Sequence, residues 1–160
     1  MLLFKSISIP LNEQKIIEVL EEEHRGWFGM SVDPDDQKLR ILRKHSDGDY
    51  WGKSWTLVAK KLEPYIDLTG IDFDPERSLV GRTGPYGFAG PHTDRGRARA
   101  LIIPLGKNKG QLTFHLPLFK IPMWRHSYTG PTVIRSNIFH SMSNNSDCPR
   151  YAIQLHINQA

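Results

Sequence analysis

The sequence predicts one α+β domain, mostly β, in which an antiparallel sandwich or barrel carries helices on its outside. Helical periodicity is confined to the stretch before about residue 64, whereas after about residue 76 short apolar segments alternate with Gly, Pro, Asn and Ser. The chain has 160 residues and 39% hydrophobic content, enough for one core and too little for two. A single domain is therefore expected over 1–160, with helical support in 1–75 and a β core in 76–158.

The first helix begins at Leu11, with Asn12 as N-cap, staple spacing between Leu11 and Ile16, and an apolar stripe of Ile16, Val19 and Leu20. It ends near Arg25-Gly26. A second helix fits Ser54 to Glu63, where Trp55, Val58, Ala59 and Leu62 share one face and Pro64 stops it. Between them, Asp33-Pro-Asp-Asp36 and His45-Ser-Asp-Gly-Asp-Tyr50 read as loop or irregular strand. Expected strands are 78–81, 98–105, 111–116, 132–134, 138–142 and 151–157. Trp27, Phe28, Trp51, Trp55 and Trp124 are read as structural, since large aromatics usually build cores.

Several classes are excluded early. No apolar run approaches the roughly 20 residues needed to span a bilayer, and Met1 to Pro10 lacks the order of a secretion signal, so a cytoplasmic protein without a membrane partner is expected. With Cys148 as the single cysteine, an internal disulfide and a thiolate-rich metal site are both impossible. The net charge of +4 is scattered except in Arg95-Gly-Arg97-Ala-Arg99, a cluster suited to anions such as carboxylates. Nothing in the sequence specifies an oligomeric state.

In Gly90-Pro-His92-Thr-Asp94 the imidazole and carboxylate are two residues apart, so on an extended strand they leave the same face and can share one ion. Such donors suit iron(II), and a second histidine would complete a 2-His-1-carboxylate set with open positions opposite. His140, in Ile138-Phe-His-Ser-Met-Ser143, is the candidate. His45-Ser-Asp47 has the same spacing but no apolar strand follows it, whereas His92 precedes Arg99-Ala-Leu-Ile-Ile-Pro104; His45 and Asp47 are read as a polar turn. His24, His115, His126 and His156 are read as surface or satisfied core residues. In the last strand Tyr151, Ile153, Leu155 and Ile157 alternate with Arg150, Ala152, Gln154 and His156. If the second set faces the interior, Arg150 is a buried guanidinium that needs an anion, and its fork matches a carboxylate.

Taken together, Pro91-His-Thr-Asp94, the strand Arg99 to Pro104, Val133 to His140, and Arg150 ten residues later resemble the iron(II)/2-oxoglutarate oxygenases over roughly residues 78 to 158. Pro-His-Thr and His-Ser-Met-Ser-Asn-Asn-Ser are most similar to the aspartyl/asparaginyl β-hydroxylase-like branch, although some members of that branch lack the acidic ligand present here as Asp94. The resemblance implies a double-stranded β-helix, a jelly-roll, cupin-like barrel. It implies iron(II) on His92, Asp94 and His140, the distal carboxylate of 2-oxoglutarate on Arg150, and a contact from Arg99 to that cosubstrate. It also implies consumption of dioxygen, conversion of 2-oxoglutarate to succinate and carbon dioxide, and hydroxylation of a peptide, amino acid or small metabolite. Asn137, Ser141 and Asn144 are candidates to orient the histidines, Tyr86 and Thr113 to assist the cosubstrate, and the glycines of 81–90 to form a lip over the site. Two other readings are a cupin-like binding barrel, which has no need of Arg150, and a nucleic-acid-modifying oxygenase. The paired-arginine signature of the latter is absent after His140.

Overall fold

The computed structural model describes residues 3–25, 46–47 (backbone only), 50–94, 96, 98–116, 118 and 121–158. Among these, the strands are β1 (Phe4–Ser6), β2 (Ser46–Asp47), β3 (Tyr50–Ser54), β4 (Phe73–Thr83), β5 (Phe88–His92), β6 (Ala100–Leu105), β7 (Gln111–His115), β8 (Pro122–Ser127), β9 (Thr132–Ile134), β10 (His140–Ser143) and β11 (Arg150–Ile157). The helices are α1 (Glu13–Arg25) and α2 (Trp55–Leu62). A six-stranded sheet in the order β1-β9-β6-β11-β4-β3 faces a five-stranded sheet in the order β2-β5-β10-β7-β8. All pairings among the described residues are antiparallel, the arrangement of a jelly roll.

Both helices form where the sequence predicts. The Asn12 side chain accepts the Lys15 N–H at 3.2 Å, an N-cap that satisfies one of the orphan donors of the first turn of α1. Ser54 is extended immediately before α2, and Pro64 lies in the 3₁₀ turn Glu63–Tyr65 that ends it. The strands show where sequence patterning is insufficient. Besides the six expected, β5 and β8 join the smaller sheet, β1 and β3 join the large sheet from the segment read as helical support, and β2, in the segment read as a polar turn, pairs with β5. His45, Trp27, Phe28 and residues 33–36 lie outside the described residues.

Alternation along the central strands separates two apolar clusters. Leu101, Ile103 and Leu105 of β6, with Tyr151, Ile153 and Leu155 of β11, pack against Ile16 and Leu20 of α1 and Trp55, Val58 and Leu62 of α2. Ala100 and Ile102 of β6, with Ala152 of β11, face Leu112 and Phe114 of β7 across the barrel interior. The helices thus cover one face of the large sheet and leave the other for the site. Ile153 is fully buried at the centre of the helix-facing cluster, so Ile153→Ala is expected to cost about 2–5 kcal/mol of stability. Denaturant unfolding measures it directly, and a change below about 1 kcal/mol would be too small for a central core position.

The first turn of α1 also touches the barrel. Glu13 Oε1 accepts the Gly106 N–H at 2.6 Å and the Lys109 Nζ at 2.7 Å, fastening the β6–β7 loop. At the end of that loop Gly110 has φ +82°, and a Cβ there would lie 2.4 Å from Arg150 Nε, so only glycine lets the backbone pass the guanidinium.

Candidate metal and anion site

β5 and β10 lie side by side with His92 opposite His140. Asp94, just past β5, is set by its N–H donating to the Ser136 carbonyl at 2.9 Å. One ligand atom from each of His92, Asp94 and His140 lies within 4.8 Å of the others. His92 Nε2 is 3.4 Å from one Asp94 oxygen, and His140 Nε2 is 3.8 Å from the other.

The other ring nitrogen of each histidine explains this orientation. His92 Nδ1 is 2.7 Å from the Gly90 carbonyl and His140 Nδ1 is 2.7 Å from the Ile138 carbonyl. A carbonyl only accepts, so each Nδ1 carries the proton and each Nε2 presents its lone pair toward Asp94. These are the donor types and the tautomer that a divalent iron requires. The backbone does this work in place of Asn137, Ser141 and Asn144. Ser141 lies 2.7 Å from His115 Nε2, and the Asn144 amide donates to the Gly84 and Cys148 carbonyls at 2.9 and 2.8 Å, tying the β4–β5 turn to the β10–β11 loop.

Arg150 opens β11 with the interior parity of Ala152 and is 2% exposed. Its Nε donates to the Lys109 carbonyl at 2.7 Å, and its guanidinium carbon lies 5.4 Å from the Tyr128 ring centroid. Its Nη2 is buried with no hydrogen-bond partner among the described residues. Burial is the main influence on this group, pulling its pKa down, while Tyr128 and Tyr50 oppose that. A guanidinium stays protonated even so, and a buried donor without an acceptor is costly, so Nη2 fits an incoming carboxylate. Arg150 is paired with Thr83 at the end of the barrel away from the His92–His140 pair. Between the two ends the large sheet carries Gly52, Gly81, Ala152 and Pro104 in one cross-strand row, with the Tyr50 side chain packed over Gly81.

Tyr128 has no counterpart among the candidates that the sequence suggests. It is buried, follows β8, and burial drives its phenol pKa strongly upward, with Arg150 opposing and Asp94 adding to the rise. It is therefore a neutral hydroxyl within electrostatic reach of both ends of the site. Arg99 is exposed immediately before β6, and its carbonyl accepts the Ile157 N–H at 3.2 Å. Arg95 and Arg97 lie outside the described residues. Thr113 lies on the outer face beside Ser141, and Tyr86 is 70% exposed on the β4–β5 turn with φ 56°. His115 and His156 are buried, and Trp51 and Trp55 lie in the core, all as expected. Trp124 is not in a core: it is 55% exposed on β8.

No helix among the described residues is long and apolar enough to cross a membrane. No family model matches the sequence, and no curated protein matches it. Among solved structures, a prolyl-4-hydroxylase from Pseudomonas putida aligns with TM-score 0.51 and 11% identity, covering 99% of this chain and 94% of its own. The viral collagen prolyl hydroxylase of Paramecium bursaria Chlorella virus-1, solved with 2-oxoglutarate, gives TM-score 0.40 and 12% identity, covering 96% and 94%. Neither is an aspartyl/asparaginyl β-hydroxylase, and likeness at this identity carries no branch assignment. What the first alignment establishes is architecture: this chain has the jelly-roll fold of the 2-oxoglutarate oxygenases.

Proposed function

We propose that this chain is a non-haem iron(II) dioxygenase that couples oxidative decarboxylation of 2-oxoglutarate to hydroxylation of a substrate C–H bond. The observation that carries the reading is the pairing, inside one barrel, of the His92, Asp94 and His140 donors with a buried guanidinium whose Nη2 lacks a partner among the described residues. A metal site alone has no use for that cation, which is expensive to bury without an anion.

In this reading His92, Asp94 and His140 hold iron(II) on one face, and Arg150 takes the distal carboxylate of 2-oxoglutarate. Iron supplies the redox chemistry by which one dioxygen and one 2-oxoglutarate become succinate, carbon dioxide and one oxygen atom inserted into substrate. The protein's share is positional. The carbonyls of Gly90 and Ile138 accept from Nδ1 of each imidazole and so orient both rings with Nε2 as the atom available to the metal. The Tyr128 hydroxyl, kept protonated by burial, offers a hydrogen bond to the carboxylate beside Arg150. Ile102, Leu112, Phe114 and Ile134 line the interior and limit water around the reacting groups. Arg99, exposed just before β6, is the candidate for a further contact to the cosubstrate that the resemblance implies. By resemblance to the aspartyl/asparaginyl β-hydroxylase-like branch, the substrate is a peptide or amino acid.

Anaerobic titration of the protein with iron(II) and 2-oxoglutarate tests the reading. A weak visible charge-transfer band is expected only when both are present, because it arises from the keto acid chelating the metal. Iron binding without that band would leave a metal-binding barrel and remove the oxygenase.

A further inference from the structure

We infer, building on the oxygenase reading, that Trp124 is a substrate-binding residue of the same site, and that the substrate is an extended polypeptide with a bulky apolar side chain roughly three residues from the one that reacts. Register carries this. His92 stands opposite His140, His140 opposite Phe114, and Phe114 opposite Trp124, so β5, β10, β7 and β8 present one continuous cross-strand row. Residues paired in this way share a face, and Phe114 is buried inside the barrel, so the indole belongs to the face that carries the metal donors. The His140 and Phe114 ring centroids are 6.4 Å apart, which keeps the row continuous through its middle.

Trp124 is the member of the row that solvent reaches most, at 55% exposure. An indole left open beside a reaction centre is a platform for an apolar or aromatic group. Two strand spacings of about 4.8 Å put it about 10 Å from His140. A free amino acid or small metabolite seated at the metal does not bridge that gap. An extended chain, advancing about 3.3 Å per residue, covers it in roughly three residues. Leu116, Ile121 and Met123, exposed around the β7–β8 turn, make the approach apolar. A nucleic acid strand would need a basic track there, and among the described residues of β7, β8 and their turn the one Lys or Arg, Arg125, leaves the opposite face of β8 with its partner Thr113.

The test is affinity selection from a random nonapeptide pool, under anaerobic conditions, on protein loaded with iron(II) and 2-oxoglutarate. Retained peptides are expected to be enriched at least tenfold in Trp, Phe, Leu or Met at one position. That enrichment should disappear with Trp124→Ala and persist with Trp124→Phe and with Arg125→Ala, which alters the outer face only. Enrichment that survives Trp124→Ala, a wild-type protein that retains no peptide preference, or salt-sensitive retention of single-stranded oligonucleotides in place of peptides would each overturn the inference. The iron–2-oxoglutarate band, read on the same four proteins, separates the two readings. A normal band with Trp124-independent selection sinks this inference alone, and Trp124-dependent selection without the band sinks the oxygenase reading alone.

Discussion

His140→Ala is expected to lose iron(II) on desalting while the protein still melts as one cooperative unit. The imidazole supplies one of three donor atoms, and its removal leaves His92 and Asp94 with two adjacent ligands and no closed face. Loss of groups that merely orient a ligand typically costs about 10–100-fold in metal affinity, so loss of the ligand itself should exceed about 100-fold. The Nδ1 contact to Ile138 is local to the turn preceding β10, and the buried ring beside Phe114 contributes packing whose loss lowers the melting temperature without abolishing cooperative unfolding. Iron content by elemental analysis, read beside a thermal melt, tests both halves. A variant that keeps wild-type iron stoichiometry would show that position 140 is not a ligand.

Arg150→Ala should have the opposite signature, with iron retained and 2-oxoglutarate affinity falling. Loss of one partner of a buried ion pair costs about 2–4 kcal/mol, or roughly 30- to 900-fold in Kd. The metal donors should be untouched, since the guanidinium sits at the other end of the barrel interior. Arg150→Lys should recover part of the loss, because it keeps the charge and forfeits the two-pronged geometry. Calorimetric titration of the iron-loaded variants with 2-oxoglutarate gives the numbers, and an unchanged Kd would remove Arg150 from the site.

Much of this arrangement is legible in the order of the residues. The two-residue spacing of His92 and Asp94, and the alternation from Arg150 to Ile157, each follow from strand geometry, and the Asn12 cap from the missing acceptors of a helix start. The strands that patterning misses share a physical cause. β5 reads Phe-Ala-Gly-Pro-His and β8 reads Pro-Met-Trp-Arg-His-Ser, and neither buries one clean face, so neither shows apolar alternation. Tyr128 is invisible to sequence reasoning because its place beside Arg150 follows from its N–H donating to the carbonyl of Gly110, which lies against the guanidinium, a tertiary fact with no local signature.

The bond from Glu13 to the β6–β7 loop gives α1 a task beyond covering the large sheet. Its carboxylate grips Gly106 and Lys109, and the carbonyl of that same Lys109 fixes the Nε of Arg150, so a path of three residues runs from the helix start to the buried guanidinium. The N-terminal segment therefore works as a buttress, and trimming it would be felt first as a loosened Arg150 side chain, far away along the sequence.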